Sequence, residues 1–181
     1  MGLHDHLAEL RRSLIPPMVL ASLIAVLSAT SDNMVSWMEW WFDLYGDSSG
    51  NGLSVYAPHD WYVLKWSAAI LLGITFTHPF LCFNLWKFVE SGLIEAEKKV
   101  VSILFFGVSF LLPVAVIAIV FASPSIASAA VSADQILEVE AAINSVAIAS
   151  MAVSLSWIAV ALILLTGLLC MVRAIIPPGD A

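Results

Sequence analysis

The stretch HDHLAELRRSL, residues 4–14, brings carboxylates and arginines together just before a long apolar run. Glu9 can accept the paired N–H groups of a guanidinium, whereas Arg11 can only donate to a carboxylate or a phosphate. The plainest interpretation is an amphipathic helix that rests on the inner leaflet of a membrane. In such a helix Glu9 and Arg12 would form an i,i+3 pair, and Arg11 would orient Glu9 or contact lipid phosphate.

Two sharper hypotheses concern the same stretch. His4 and His6 could ligate a divalent metal, but an H-x-H pair on a helix points its rings to different sides and has no third ligand. The adjacent Arg11 and Arg12 could form a twin-arginine export signal that another protein reads. That hypothesis is disfavoured because Leu10 stands where such a signal normally carries Ser or Thr, and because three further apolar runs follow.

A second group of ionisable residues follows the second apolar run, in the sequence ESGLIEAEKKV. Glu95 and Glu97 precede Lys98 and Lys99, and Gly92 provides the break before them. Acidic residues at the start of a helix complement its macrodipole, and lysines mark a cytoplasmic boundary. Taken alone, the loop is accounted for by these two effects.

The elements that must position these residues are membrane-spanning helices. The chain is 61% hydrophobic and 12% charged over 181 residues, with a mean hydropathy of +0.96. A soluble domain could not keep so much apolar surface from water. We therefore predict an all-α, polytopic membrane helix bundle that forms a single domain over residues 1–181. The four predicted spans cover about residues 14–30, 61–86, 100–122 and 143–172.

The distribution of positive charge predicts the orientation of this bundle. Of seven Lys and Arg residues, all but Lys65 lie in the N-terminal tail, after the second span or in the C-terminal tail. Residues 30–60 and 123–142, which follow the first and third spans, contain no Lys or Arg but several Asp and Glu. The positive-inside rule therefore places both termini in the cytoplasm.

Each of the two outer segments carries a predicted helix. The tryptophan-rich stretch MVSWMEWWFDLY suits an interfacial helix at the level of the lipid headgroups, or a docking surface for a partner. Ser132 followed by Gln135 is typical of a capping box that opens a short helix. Cys82 and Cys170 lie in apolar runs and are expected to be buried, reduced thiols, so neither a metal site nor a cofactor site is predicted.

Two motifs in this order resemble the TatC family, the multi-span receptor of the twin-arginine protein translocase. HLAELRRSL is similar to that family's N-terminal signature, although Ser13 replaces its second basic residue. The stretch APHDWYVLKWSAAILLGITFTHPFLCFNLWKFVESGLIEAEKKVV is similar to its second span and first inner loop, with Asn84 in place of the usual Gln. The residues that match this second pattern are Lys65, Pro79, Trp86, Phe88, Gly92, Leu93 and Glu97.

Two departures from the family pattern accompany this match. TatC proteins usually have six spans, whereas this sequence stops after the fourth, at RAIIPPGDA, so we expect a truncated or divergent member. The family also commonly places a glutamate inside span four, where this chain has Trp157 or Ala161, depending on the register. A role for that buried carboxylate is therefore not carried over.

The resemblance implies a plasma-membrane component that recognises twin-arginine signal peptides and helps to export folded proteins with the proton-motive force. Glu9 and Glu97 would accept the two guanidinium groups, and Phe88 would receive the apolar part of the peptide. The supporting positions are Arg11, Lys65, Pro79 and Trp86. The implied partners are single-span TatA-like and TatB-like proteins, signal peptides of folded cargo and the lipid bilayer, with a homo-oligomer as a further candidate and no nucleic acid.

Other functional classes fit the sequence less well. An enzyme would need a carboxylate pair, a nucleophile beside a histidine or a metal-binding helix, and the spans contain none of these patterns. A small channel or transporter would need several ionisable groups in mid-membrane, where His78 and, near the outer edge, Lys65 come closest. A further alternative is a truncated or divergent TatC-like protein that binds partners but does not complete protein translocation.

Overall fold

The described part of the chain forms five α-helices, of which four are long and apolar. The computed structural model describes residues 3–45, 58–90, 93–134 and 145–175, and side chains within them for 8–41, 59–90, 93–95, 98–123, 125–126 and 146–169. The helices are α1 Leu3–Thr30, α2 Asp32–Tyr45, α3 Pro58–Glu90, α4 Glu95–Asp134 and α5 Ser145–Ile175. Among the residues whose side chains are described, four stretches are long and apolar enough to cross a bilayer: Ala8–Thr30, His59–Glu90, Lys98–Ser123 and Val146–Leu169. The chain is therefore a polytopic helical membrane bundle, as the sequence predicts.

The third long helix differs from the prediction at its C-terminal end. A new helix was expected to open at Ser132, but α4 continues to Asp134, so Ser132 lies in the last turn of α4. The segment ASAAVSAD contains four alanines and no glycine or proline, and alanine is the best helix former. Gln135, the other half of the predicted capping box, lies outside the described residues.

Helix α3 lies at the centre of the bundle. Helices α1 and α3 share the most extensive contact, α4 and α5 the next, and α3 also contacts both α4 and α5. A Cβ atom added at Gly73 of α3 would overlap the carbonyl oxygen of Ala21 in α1. Glycine at this position lets the two backbones approach closely, as small residues do between membrane helices.

Three apolar clusters follow one another along the bundle. The middle cluster contains Leu71, Leu112, Val116 and Val160. A second cluster contains Leu64, Val146 and Ala149. We call this end of the bundle the outer end, because the predicted orientation places it away from the cytoplasm. The third contains Cys82, Val101 and Phe105, and it marks the inner end. Helices α3 and α5 therefore begin at the outer end, whereas α4 begins at the inner end.

Helix α2 packs against the outer end of the bundle. It follows α1 after a single residue, Ser31, whose Oγ accepts a hydrogen bond from the backbone N–H of Asn33 at 3.0 Å. Trp41 Nε1 donates to the carbonyl oxygen of Val120 in α4 at 3.1 Å, and the side chains of Trp41 and Met38 cover the outer cluster. The helix predicted in the first outer segment is thus present and fixed to the ends of the spans.

Candidate functional site

The residues proposed to bind a peptide belong to elements that meet at the inner end. Because α2 joins the end of α1 to the outer cluster, α1 runs opposite to α3. Ala21 lies beside Gly73, so with a rise of about 1.5 Å per residue Glu9 lies level with Leu85, near the end of α3. The inner cluster joins this part of α3 to the start of α4. Glu9, Phe88 and the first turn of α4 therefore share one end of the bundle.

Glu9 is exposed to solvent and has no ion pair with any described residue. The expected pair with Arg12 is absent, and Arg11 does not orient the Glu9 carboxylate. Residues two apart on a helix point to different faces, which separates Glu9 from Arg11. Arg12 is suitably spaced, but an exposed pair gains too little to hold two long side chains together. Glu9 is therefore an available acceptor.

At the start of α4, the carboxylate of Glu95 forms an ion pair with Lys98. Lys98 Nζ lies 2.9 Å from Glu95 Oε1, with the Glu95 side chain 88% exposed and that of Lys98 31% exposed. The hydrogen bond and the charge of Lys98 lower the pKa of the Glu95 carboxyl below its usual value. Glu97, the residue predicted to bind the second guanidinium, lies in the first turn of α4, but its side chain is outside the described ones.

Aromatic side chains line the end of α3 beside this turn. Phe88 is half-buried, and the Trp86 ring meets Phe105 of α4 edge to face with the ring centroids 5.8 Å apart. The Nζ atom of Lys87 lies 4.4 Å from the centroid of the Phe83 ring, within cation–π range. This end of the bundle thus offers aromatic surface next to charged groups.

The supporting residues fall into two places. Pro79 and Trp86 line a cavity of about 10 Å³ between α3 and α4. This cavity holds no more than one water molecule, so the two residues contribute to packing and do not form a ligand pocket. Lys65 is half-buried near the start of α3, at the outer end. The structure therefore separates Lys65 from Glu9 and Phe88, and its predicted support of the same site would have to be indirect.

Sequence reasoning missed a hydrogen bond that joins α5 to α3. Trp157 Nε1 donates to Ser67 Oγ at 2.9 Å in a half-buried position. Trp157 is one of the two residues at which the resemblance leads one to expect a glutamate, so in that register a neutral indole donor is found there instead. A tryptophan inside a span signals such a partner, because a buried indole N–H needs an acceptor. The sequence does not indicate that the acceptor is the hydroxyl group of Ser67.

His78 and Cys82 of α3 pack between helices. His78 and Cys82 are both buried in α3, with His78 Nε2 and Cys82 Sγ 3.5 Å apart, which agrees with a packing histidine and a free thiol. Among the described residues, no three His, Cys, Asp or Glu side chains are grouped as metal ligands. The side chains of His4, His6 and Cys170 lie outside that set.

Comparison with known proteins adds to this geometry. A family model described as Sec-independent protein translocase protein (TatC) matches residues 5–176. The chain is 30% identical over 118 residues to the Sec-independent protein translocase protein TatCy of Bacillus subtilis (strain 168). That alignment covers 61% of this chain and 45% of the relative, so the chain spans less than half the length of that protein. No solved structure matches the chain.

Proposed function

The chain belongs to the TatC family, and from that membership we propose that it recognises twin-arginine signal peptides as part of a Tat translocase. In this proposal the inner end of the bundle binds the peptide. Glu9 accepts one guanidinium, Glu97 accepts the other, and the aromatic end of α3 receives the apolar part of the peptide. Both acidic residues fall within the stretch that the family model matches.

The observation that carries the proposal is the free carboxylate of Glu9. It is exposed, it has no ion pair with a described residue, and it lies level with the end of α3. A guanidinium presents a planar fork of donors that a carboxylate accepts through two parallel hydrogen bonds. An acceptor without an internal cation can form these bonds with a ligand and loses no partner in doing so.

The surroundings of Glu9 strengthen such a contact. Glu9 lies just before the first apolar run, predicted at about residues 14–30, and so at the predicted membrane boundary. The effective dielectric constant there is lower than in bulk water, so a charge-assisted pair exceeds the roughly 0 to 1 kcal/mol of a fully solvated one. Arg11 and Arg12 are also exposed at this level and suit lipid phosphate better than a cationic peptide.

The apolar part of the peptide has a surface to bind. The half-buried ring of Phe88 lies in the last turn of α3, and the exposed ring of Phe83 lies just over one turn before it. Along α1, large apolar side chains including Val19 and Leu23 face outward. A hydrophobic peptide segment that follows the paired arginines can pack along these groups as it enters the bilayer.

The wider setting follows from the family. We propose that the chain resides in the plasma membrane with both termini in the cytoplasm, and that it assembles with single-span TatA-like and TatB-like proteins. Export of folded cargo with the proton-motive force is the activity that such an assembly would perform. Small residues on α5, among them Ala147 and Ser154, are exposed and would allow a partner helix to approach closely.

Photocrosslinking tests peptide recognition. A twin-arginine signal peptide with a photoreactive residue beside the arginines is irradiated with membranes that contain the full chain, Glu9→Gln, Glu97→Gln or the double variant. Glutamine keeps the size of each side chain but accepts only weaker, neutral hydrogen bonds. We expect each single variant to lose most of the crosslink and the double variant to lose nearly all of it.

The matched control is Glu39→Gln, which changes an exposed carboxylate of α2 at the outer end. It should crosslink like the unchanged chain, and the circular dichroism of all variants should be the same. Undiminished crosslinking in the double variant would contradict the proposal.

A further inference from the structure

We propose that α2 binds the headgroup region of the outer leaflet through Trp37 and Trp40, and that it favours zwitterionic over anionic lipids. The proposed partner is a neutral lipid surface rather than a protein. The proposal concerns the end of the bundle opposite Glu9, and it stands whether or not the chain binds signal peptides.

The two faces of α2 differ in what they contact. Met34 is buried, and Met38 and Trp41 pack toward the bundle. Trp37 and Trp40 lie to one side of this packed face and are 70% and 48% exposed. Their ring centroids lie 6.1 Å apart at an interplanar angle of 68°, so the two indoles form one continuous edge-to-face aromatic surface.

The depth of α2 matches the boundary between hydrocarbon and headgroups. Trp41 donates to the carbonyl of Val120, near the end of the apolar run that the sequence places at about residues 100–122. The same tryptophan packs on the outer cluster, which includes Leu64 in the second turn of α3. Helix α2 is therefore held at the level where tryptophan is enriched, because its ring is apolar and its N–H needs a polar partner.

The charge of this region determines the class of lipid. There is no Lys or Arg between Arg12 and Lys65, and α2 carries exposed Asp32 and Glu39. Anionic headgroups attract interfacial helices through basic residues, and here they would meet carboxylates instead. Binding must then come from burial of the two indoles, so it should depend little on salt and should weaken as anionic lipid is added.

Fluorescence quenching in lipid nanodiscs tests this inference. The full chain is placed in phosphatidylcholine nanodiscs that contain lipids with a nitroxide either at the headgroup or deep in the acyl chain. The fluorescence of Trp37 and Trp40 is obtained by subtracting the tryptophan emission of the Trp37→Phe/Trp40→Phe variant from that of the unchanged chain. The matched control is the difference given by Trp157→Phe, which removes a half-buried tryptophan held between α5 and α3.

We expect the headgroup nitroxide to quench the Trp37 and Trp40 signal at least twofold more than the deep nitroxide, and to quench the Trp157 signal little. Replacing part of the phosphatidylcholine with phosphatidylglycerol should reduce the headgroup quenching of Trp37 and Trp40. Two results would overturn the proposal. Strong quenching by aqueous iodide with none by the lipid nitroxides would mean that the two rings are exposed to water. Quenching by neither would mean that protein covers the rings. Stronger quenching in phosphatidylglycerol would refute the lipid preference.

Discussion

At the inner end of the bundle Lys98 forms an exposed ion pair with Glu95, and Glu9 is exposed with no ion pair to a described residue, whereas at the outer end the indole N–H of Trp41 donates to the backbone carbonyl of Val120. The charged contact at the inner end is exposed, so it costs little to exchange. The outer contact between Trp41 and Val120 is half-buried and combines a hydrogen bond with packing. The difference indicates that the inner end is suited to exchanging partners and the outer end to fixing helices.

The largest expected effect comes from a change between the two ends. Gly73→Leu would drive a side chain into the backbone of Ala21 and separate α1 from α3. Overpacking against backbone should lower the free energy of unfolding by about 3 kcal/mol or more. Because α1 and α3 run between the two ends, the packing at both ends should be lost together. Denaturant titration in detergent, followed by circular dichroism, measures it.

The control for that change is Gly107→Leu, since a Cβ atom added at Gly107 meets no neighbour within 4 Å. Equal stability of the two leucine variants would mean that α1 and α3 are not held together at Gly73.

Trp41→Ala should affect the outer end alone. It removes the hydrogen bond to Val120 and the packing on the outer cluster, so unfolding should become easier by about 2–4 kcal/mol, while peptide crosslinking at the inner end persists in the folded protein. Thermal unfolding in detergent measures the stability. Trp37→Ala, on the exposed face of the same helix, should change it by less than about 0.5 kcal/mol. The distinction between the ends fails if Trp41→Ala abolishes crosslinking without unfolding the chain.

The bond between Trp157 and Ser67 should have a smaller effect. Trp157→Phe keeps an aromatic ring but removes the donor, and the loss should be about 0.5–1.5 kcal/mol. A double-mutant cycle with Ser67→Ala isolates the bond, with an expected coupling of about 0.6 kcal/mol, as is usual between membrane helices. Additive effects of the two substitutions would show that the bond does not stabilise the packing of α3 against α5.

The smallest effect is expected at the inner end. Lys98→Gln removes the cation beside Glu95, so the pKa of that carboxyl should rise toward its usual value, measured by carbon NMR of labelled glutamate. Because Lys98 lowers the folded-state pKa, the pair stabilises the fold above the ordinary glutamate pKa, and this contribution disappears as pH falls through the lowered pKa. Freed Glu95 should also raise the affinity for an arginine peptide, by at most about fivefold. A weaker affinity would identify Lys98 as part of the binding surface.

Much of the fold could be predicted because the bilayer constrains it so strongly. The predicted spans at about 14–30, 61–86, 100–122 and 143–172 lie almost wholly within α1, α3, α4 and α5, since a long apolar run in lipid must satisfy its backbone as a helix. Hydropathy does not indicate how far a helix continues beyond the membrane, so the sequence does not predict that α4 extends to Asp134.

The candidate site could be predicted only in part. Topology places Glu9 and Phe88 at one end, because helix direction follows from the order and number of spans. Glu9 lacks the expected ion pair with Arg12, and of the two roles expected for Arg11 the structure does not show the orientation of Glu9, since exposed charges gain too little from pairing to fix their geometry. The contact between Trp41 and Val120 joins residues 79 positions apart, and no local pattern encodes such a pair.

The most direct test of the account compares two peptides on two chains. The binding of a labelled twin-arginine signal peptide and of its twin-glutamine counterpart is measured with the full chain in nanodiscs, unchanged and as the Glu9→Gln/Glu97→Gln variant. We predict that the unchanged chain prefers the arginine peptide by at least about tenfold, the magnitude of one charge-assisted hydrogen bond, and that the variant has no preference. A variant that still prefers the arginine peptide tenfold would contradict recognition of the arginines by these carboxylates.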